Sequence, residues 1–277
     1  MNSALARLEG VSPSHATGWR GVLADYFDLT KPRIITLLLV TTLAAMIMAA
    51  RGLPPVGLTL LTLLAGSFAA GRVEPAHALL FASVLGGTSF AIFYLLVNPL
   101  AAWLSLSGNL FYVVVYTLWL KRRTTLNIVI GGAAGAVPPL VGWAAVTHTI
   151  GAPALALFAL VFLWTPPHFW ALALMTETDY ERAKVPMLPN VRGVPRTKLE
   201  IAVYAVLMVA MSLALVPLHV MSVWYFVPAA LLGAIFLIDA LRLFGGATKT
   251  HARALFKFSI LYLALMCLVM VFDRVVA

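Results

Sequence analysis

Nine apolar runs of 15 to 22 residues follow one another along this chain, at 34–50, 56–70, 78–97, 100–120, 126–146, 154–175, 201–218, 222–241 and 254–272. A bilayer-spanning helix needs about 20 mostly apolar residues. Inside hydrocarbon the backbone must satisfy its own hydrogen bonds, which leaves few folds open to such a chain. With 62% hydrophobic and 10% charged residues, a water-soluble domain could not cover its surface with polar groups. The runs therefore predict an all-α, polytopic membrane protein of nine transmembrane helices. The second run is the shortest; its 15 residues reach only about 22 Å as a helix.

The 19 Lys and Arg against 10 Asp and Glu give +9, and their placement reads as topology rather than as nucleic-acid binding. Seventeen of the 19 fall on one side, sixteen in alternate inter-run segments and Lys257 in the first turn of the ninth run; only Arg51 and Arg274 fall in the opposite set. By the positive-inside rule the N-terminus is expected in the cytoplasm and the C-terminus outside. Such loops face anionic membrane lipid. Residues 1–30 contain no apolar signal core and are expected to form a cytoplasmic tail. A single membrane domain then occupies 31–277. A bacterial inner membrane is the expected location, with the mitochondrial inner membrane as the alternative. The single cysteine, Cys267, lies in an apolar run and is expected to be a buried small hydrophobe.

Chemistry-bearing residues gather on the basic side. The longest loop, 176–200, holds Glu177, Asp179 and Glu181 followed by Arg182 and Lys184. Carboxylates beside cations are what a magnesium–diphosphate site needs, since Mg²⁺ takes one or two carboxylates together with phosphate oxygens. The plain alternative is a solvated loop of mixed charge. Lys121, Arg122 and Arg123 end the fourth run, and Lys31 and Arg33 open the first; topological anchoring explains both sets. Asn127 could reach a phosphate or cap a helix. The fifth run carries four glycines, which permit close helix approach, and Pro138-Pro139, which is expected to break it. In the sixth run His168 follows Pro166-Pro167. An ionisable residue within a span is costly and marks a functional candidate, either ligating a metal or heme iron or bonding a proline-freed carbonyl. Asp239, three residues before Arg242, reads as an ion pair.

Several stretches together resemble the heme O synthase branch of the UbiA-type intramembrane prenyltransferases. They are LTKPR ending at Arg33, Asn98-Pro99, TLNIVIGGAAGAVPPLVGW from Thr125, LWTPPHFW from Leu163 and DYERAKVPMLPNVRG from Asp179. The resemblance implies a helix bundle around a cavity and Mg²⁺ as the ion. Heme B and farnesyl diphosphate would be the substrates, heme O and diphosphate the products. It places Glu177, Asp179 and Glu181 on the family's second acidic motif as metal ligands, Asp179 first. Lys31, Arg33, Lys121, Arg122, Arg123, Asn127, Arg182 and Lys184 become diphosphate-binding candidates, and His168 a heme-side candidate. Heme A synthase or terminal-oxidase assembly would take up the product.

The chain departs from the family pattern at one place. After the second run, Ala70-Gly71 passes straight to Arg72-Val73-Glu74-Pro75, where the family carries an acidic motif of the NDxxDxxxD type and a basic loop. Half of the expected metal-binding carboxylates are therefore missing, and a two-motif Mg²⁺ site needs a substitute ligand. Two other readings follow: a non-catalytic heme-binding or assembly protein that keeps the cavity and His168, and a small multi-pass transporter.

Overall fold

A computed structural model describes the backbone of residues 32–69 and 76–276, and the side chains of 36–67 and 83–276. The N-terminal tail, Lys31, and the Ala70-to-Pro75 junction lie outside the described residues, as does the Arg33 side chain.

The described chain is helical throughout. Helices α1 (Pro32–Ala50), α2 (Val56–Ala69) and α3 (Ala76–Ile92) come first, and a π-helical turn, Phe93–Val97, extends α3. Helix α4 (Pro99–Leu110) continues as a π-helix, Phe111–Leu120. Then come α5 (Asn127–Thr147), α6 (Ala152–Met175), the short α7 (Glu177–Arg182), α8 (Leu188–Ala214), α9 (Val223–Arg242) and α10 (Thr248–Val276). Pro99–Leu120, α5, α6, α8, α9 and α10 are long and apolar enough to cross a bilayer; Thr36–Ala50, Val56–Ser67 and Ser83–Val97 are shorter apolar helices.

Successive long helices pack side by side, and α10 returns to pack on α1, so the bundle closes on itself. Further contacts of α1 with α5 and of α6 with α10 cross the ring. Helices α5 and α6 are its centre: 56% and 61% of their apolar windows are buried, against 22% to 39% for the other long helices. The sequence explains this placement. Gly142 lets α5 lie directly against α1, because a Cβ there would sit 2.3 Å from the Thr42 carbonyl oxygen. Asn98 fastens the other side: it caps α4 through the Ala101 N–H at 2.9 Å, and its amide donates to the Ala144 carbonyl at 2.8 Å.

Three local expectations are corrected. Pro138-Pro139 does not break α5, nor Pro166-Pro167 α6; both helices run through their prolines. A ring at these positions removes a donor and crowds the preceding turn, but flanking helices hold the segment helical. The 176–200 segment is not a long loop. It forms α7 and the first turns of α8, which starts at Leu188 rather than at 201 and bends at Gly193, whose φ of +78° is open to glycine. The last helix begins at Thr248 rather than at 254. Cys267 is buried, as expected.

Candidate functional site

One end of the bundle gathers most of the charged and polar candidates. The π-helical wind of Phe111–Leu120 ends in a turn where the Lys121 N–H donates to the Tyr116 carbonyl at 2.8 Å. This places Lys121, Arg122 and Arg123 just before α5; Lys121 is half-buried and the two arginines are exposed. Asn127, only 1% exposed, is the first residue of α5, and its amide donates to the Lys121 carbonyl at 3.1 Å. The capping role is therefore filled by Nδ2. Its Oδ1 is buried and has no hydrogen-bond partner among the described residues.

Helix α7 stands beside this turn. Thr176 ends α6, and its hydroxyl donates back to Leu172. Glu177–Arg182 then makes little more than one helical turn, closed by Lys184 in the left-handed region at φ +52°. Glu177 and Glu181 are one turn apart, with Asp179 between them. Glu177 and Asp179 are half-buried; Glu181, Arg182 and Lys184 are exposed. None of the three acids forms an ion pair or a side-chain hydrogen bond among the described residues. No set of three His, Cys, Asp or Glu side chains converges as a metal site among the described residues. Glu177 and Asp179, two residues apart on the helix, do not face each other. Mg²⁺ needs as few as one carboxylate, with waters and phosphate oxygens for the rest of its shell, so a single acid of α7 together with a diphosphate fits the ion.

Tyr180 anchors α7. Its ring packs on buried Ile128, Ala173 and Met187, joining α7 to α5, α6 and the start of α8. Burial raises the phenol above its ordinary pKa, and Tyr116 and Asp179 push it the same way. Asn190, on the first turn of α8, donates its amide to the Glu177 carbonyl at 2.9 Å. Ile128, Trp170, Leu188 and Tyr204 belong to the packing around this end, where a depression of about 50 Å³ lies between α5, α6 and α8.

His168 lies seven residues inside the Met175 end of α6, about 10 Å into the helix at about 1.5 Å per residue. It is 8% exposed and sandwiched between Trp164 and Phe256, with ring centroids at 4.3 and 4.6 Å. It does not take a proline-freed carbonyl. Its Nδ1 meets the Ser259 hydroxyl of α10 at 2.6 Å. The Ser259 proton goes to the Phe256 carbonyl at 2.7 Å, so the hydroxyl must accept from His168 Nδ1–H. The imidazole is therefore held with its Nε2 lone pair free, and Nε2 makes no hydrogen bond among the described residues. That is the tautomer of a metal-ligating histidine with its second nitrogen tied down.

Sequence reasoning missed Ser259 and Asn190. Ser259 lies 91 residues from His168, and no local pattern announces it; Asn190 stands within the PMLPN string, but nothing there shows that it reaches back to Glu177. The pair it did anticipate, Asp239 with Arg242, is formed at 2.8 Å and lies apart from the site, on α9.

A profile of the UbiA prenyltransferase family matches residues 67–266. A Protoheme IX farnesyltransferase of Picosynechococcus sp. is 47% identical, over 96% of this chain and 93% of the relative. One of Synechocystis sp. is 48% identical, over 91% and 89%. The first alignment has 298 positions but takes in about 266 residues of this 277-residue chain, leaving about 32 positions of the relative unmatched here. The second, 282 positions over about 252 residues, leaves about 30. The helix end, acidic motif and loop expected after the second run make a segment of that size. Among solved structures, one described under digeranylgeranylglyceryl phosphate synthase superposes with a TM-score of 0.75, covering 91% of this chain and 98% of that one at 16% identity. An apo UbiA homolog from Aeropyrum pernix K1 gives 0.55, covering 86% and 95% at 14% identity. On the profile match and these near-full-length relatives, the chain belongs to the UbiA prenyltransferase family.

Proposed function

We propose that this chain is a heme O synthase, transferring the farnesyl group of farnesyl diphosphate to a vinyl group of heme B and releasing diphosphate. The observation that carries the reading is the 47% identity over 96% of the chain to a relative of that name. The arrangement on α6 and α7 supports it: acids without an ion-pair partner among the described residues stand just past the end of a helix whose interior holds a histidine with Nε2 unbonded among them.

Asp179 would hold the Mg²⁺–diphosphate unit, with Glu177 and the exposed Glu181 at its margin. Bound magnesium would neutralise charge building on the departing diphosphate. Lys121, Arg122, Arg123, Arg182 and Lys184 complete that neutralisation, and Asn127 offers its free Oδ1 to a proton donor of the site. Lys31 and Arg33 belong to the same set on their sequence match alone. The apolar bundle keeps water from the allylic cation until the vinyl carbon has attacked it; water then adds to the carbocation left on the former vinyl group and loses a proton to solvent, giving the hydroxyethylfarnesyl side chain. His168 holds the heme through Nε2. The acidic end faces the cytoplasm, with the N-terminus inside and the C-terminus outside a bacterial inner membrane; heme A synthase or terminal-oxidase assembly receives the product.

Calorimetric titration with farnesyl thiodiphosphate, a non-leaving analogue, tests the site. The purified protein should bind it in Mg²⁺, and EDTA or Asp179→Ala should abolish binding. Equal binding in all three conditions contradicts the assignment.

A further inference from the structure

Helix α7 has six residues, too few to hold a direction by its own hydrogen bonds, since isolated helices below about 12 residues are marginal. Backbone hydrogen bonds tie its ends to Thr176 and Val185, and two side-chain contacts add to them. The first is the Tyr180 ring on Ile128, Ala173 and Met187. It lies near the middle of the helix. The second is at its first residue, where the Asn190 amide donates to the Glu177 carbonyl at 2.9 Å across 13 residues of chain.

Asn190 is well placed for such a role. It lies on the turn Leu188–Arg192, which the Gly193 bend separates from the rest of α8. That turn is itself held: the Asn190 and Val191 N–H groups donate to the Met187 carbonyl, and Leu188 and Pro189 are buried. The amide orientation is unambiguous, because a carbonyl can only accept and so must face Nδ2. The Asn190 Oδ1 is buried and has no partner among the described residues. The side chain is thus committed to Glu177 and to nothing else described.

We propose that Asn190 is the positioning residue of the cation site: its Nδ2–Glu177 carbonyl bond sets the angle at which α7 presents Glu177 and Asp179. The inference rests on the reading of those acids, Asp179 first, as the magnesium–diphosphate ligands. It matters more in this chain than the bond alone suggests, because a site with one acidic motif has no second set of carboxylates to recover a misplaced ligand.

Mn²⁺, which is paramagnetic and takes magnesium's place on oxygen ligands, provides the test. Purified protein with farnesyl thiodiphosphate is titrated with Mn²⁺ and followed by electron paramagnetic resonance, alongside Asn190→Ala and Asn190→Asp. The Asp variant keeps the size and an oxygen but replaces the donor with a second acceptor facing the Glu177 carbonyl. Loss of one such bond predicts Mn²⁺ affinity about three- to tenfold weaker in Ala, and no better than wild type in Asp. The Mg²⁺ concentration for half-maximal turnover should rise with it, while KM for heme B stays unchanged. Tighter Mn²⁺ binding in Asp would make the residue a ligand and overturn the positioning role, as would wild-type affinity in Ala. If the wild-type protein itself binds no Mn²⁺ with the analogue, the acid assignment falls first and this inference with it.

Discussion

Replacing Ser259 with alanine probes the tautomer argument at His168 without touching the imidazole. In the native bundle the Ser259 hydroxyl accepts from His168 Nδ1–H at 2.6 Å and donates to the Phe256 carbonyl at 2.7 Å. Alanine removes the acceptor and leaves a buried ring N–H without the one partner it has among the described residues. An unsatisfied buried donor costs about 1–3 kcal/mol. The ring escapes part of that cost by moving its proton to Nε2, which destroys the lone pair that would bind iron. Losses of about 10- to 100-fold in metal affinity are typical when such a second-nitrogen contact is removed. The Trp164 indole bond to Ser259 runs to its backbone carbonyl, at 2.7 Å, and survives the substitution. The assay is titration with heme B followed in the Soret band, with farnesyl thiodiphosphate binding as the control at the other end of α6. Ser259→Ala should weaken heme binding about 10- to 100-fold and shift the bound spectrum, leaving analogue binding intact. Heme affinity within about twofold of wild type, with an unchanged spectrum, would refute the reasoning.

Other consequences are smaller or more local. Gly142→Ala drives a methyl into the Thr42 carbonyl oxygen and should cost about 1–3 kcal/mol in thermal or denaturant unfolding. Gly135→Ala, with nothing within 4 Å, should be neutral or slightly stabilising. Because the folded Tyr180 phenol has a raised pKa, the unfolded chain ionises first. Its stabilising contribution is complete below about pH 10 and declines as pH rises through the folded value; Tyr180→Phe should flatten that alkaline decline. Asp239→Asn should change stability by less than about 1 kcal/mol, since the Arg242 partner is 62% exposed.

The membrane class and the places of most apolar helices were legible because hydropathy over a bilayer's thickness is a long-range signal carried by many residues. Where polarity and helicity coincide, that signal fails: α7 and the first turns of α8 are charged, so they read as a loop although they are wound. Pro138-Pro139 misleads for the opposite reason. Its local cost is real, but α1 and α6 pack on α5 and decide the outcome. At the site, His168 and the acidic stretch could be picked out because ionisable groups in or beside spans are rare. Their helpers could not. Ser259 and Asn190 are ordinary polar residues whose roles arise from contacts 91 and 13 residues away, and only the folded bundle brings them together. The missing acidic segment, conversely, was readable only from sequence, since its junction lies outside the described residues.

The central claim is that these residues make a farnesyl transfer site for heme. Purified protein in detergent or vesicles is incubated with heme B, farnesyl diphosphate and Mg²⁺, and the porphyrin products are separated and weighed by mass spectrometry. The account predicts a product with the mass of heme O, dependent on Mg²⁺ and lost in Asp179→Ala. Heme B recovered unchanged, from protein that still binds it through His168, would contradict it.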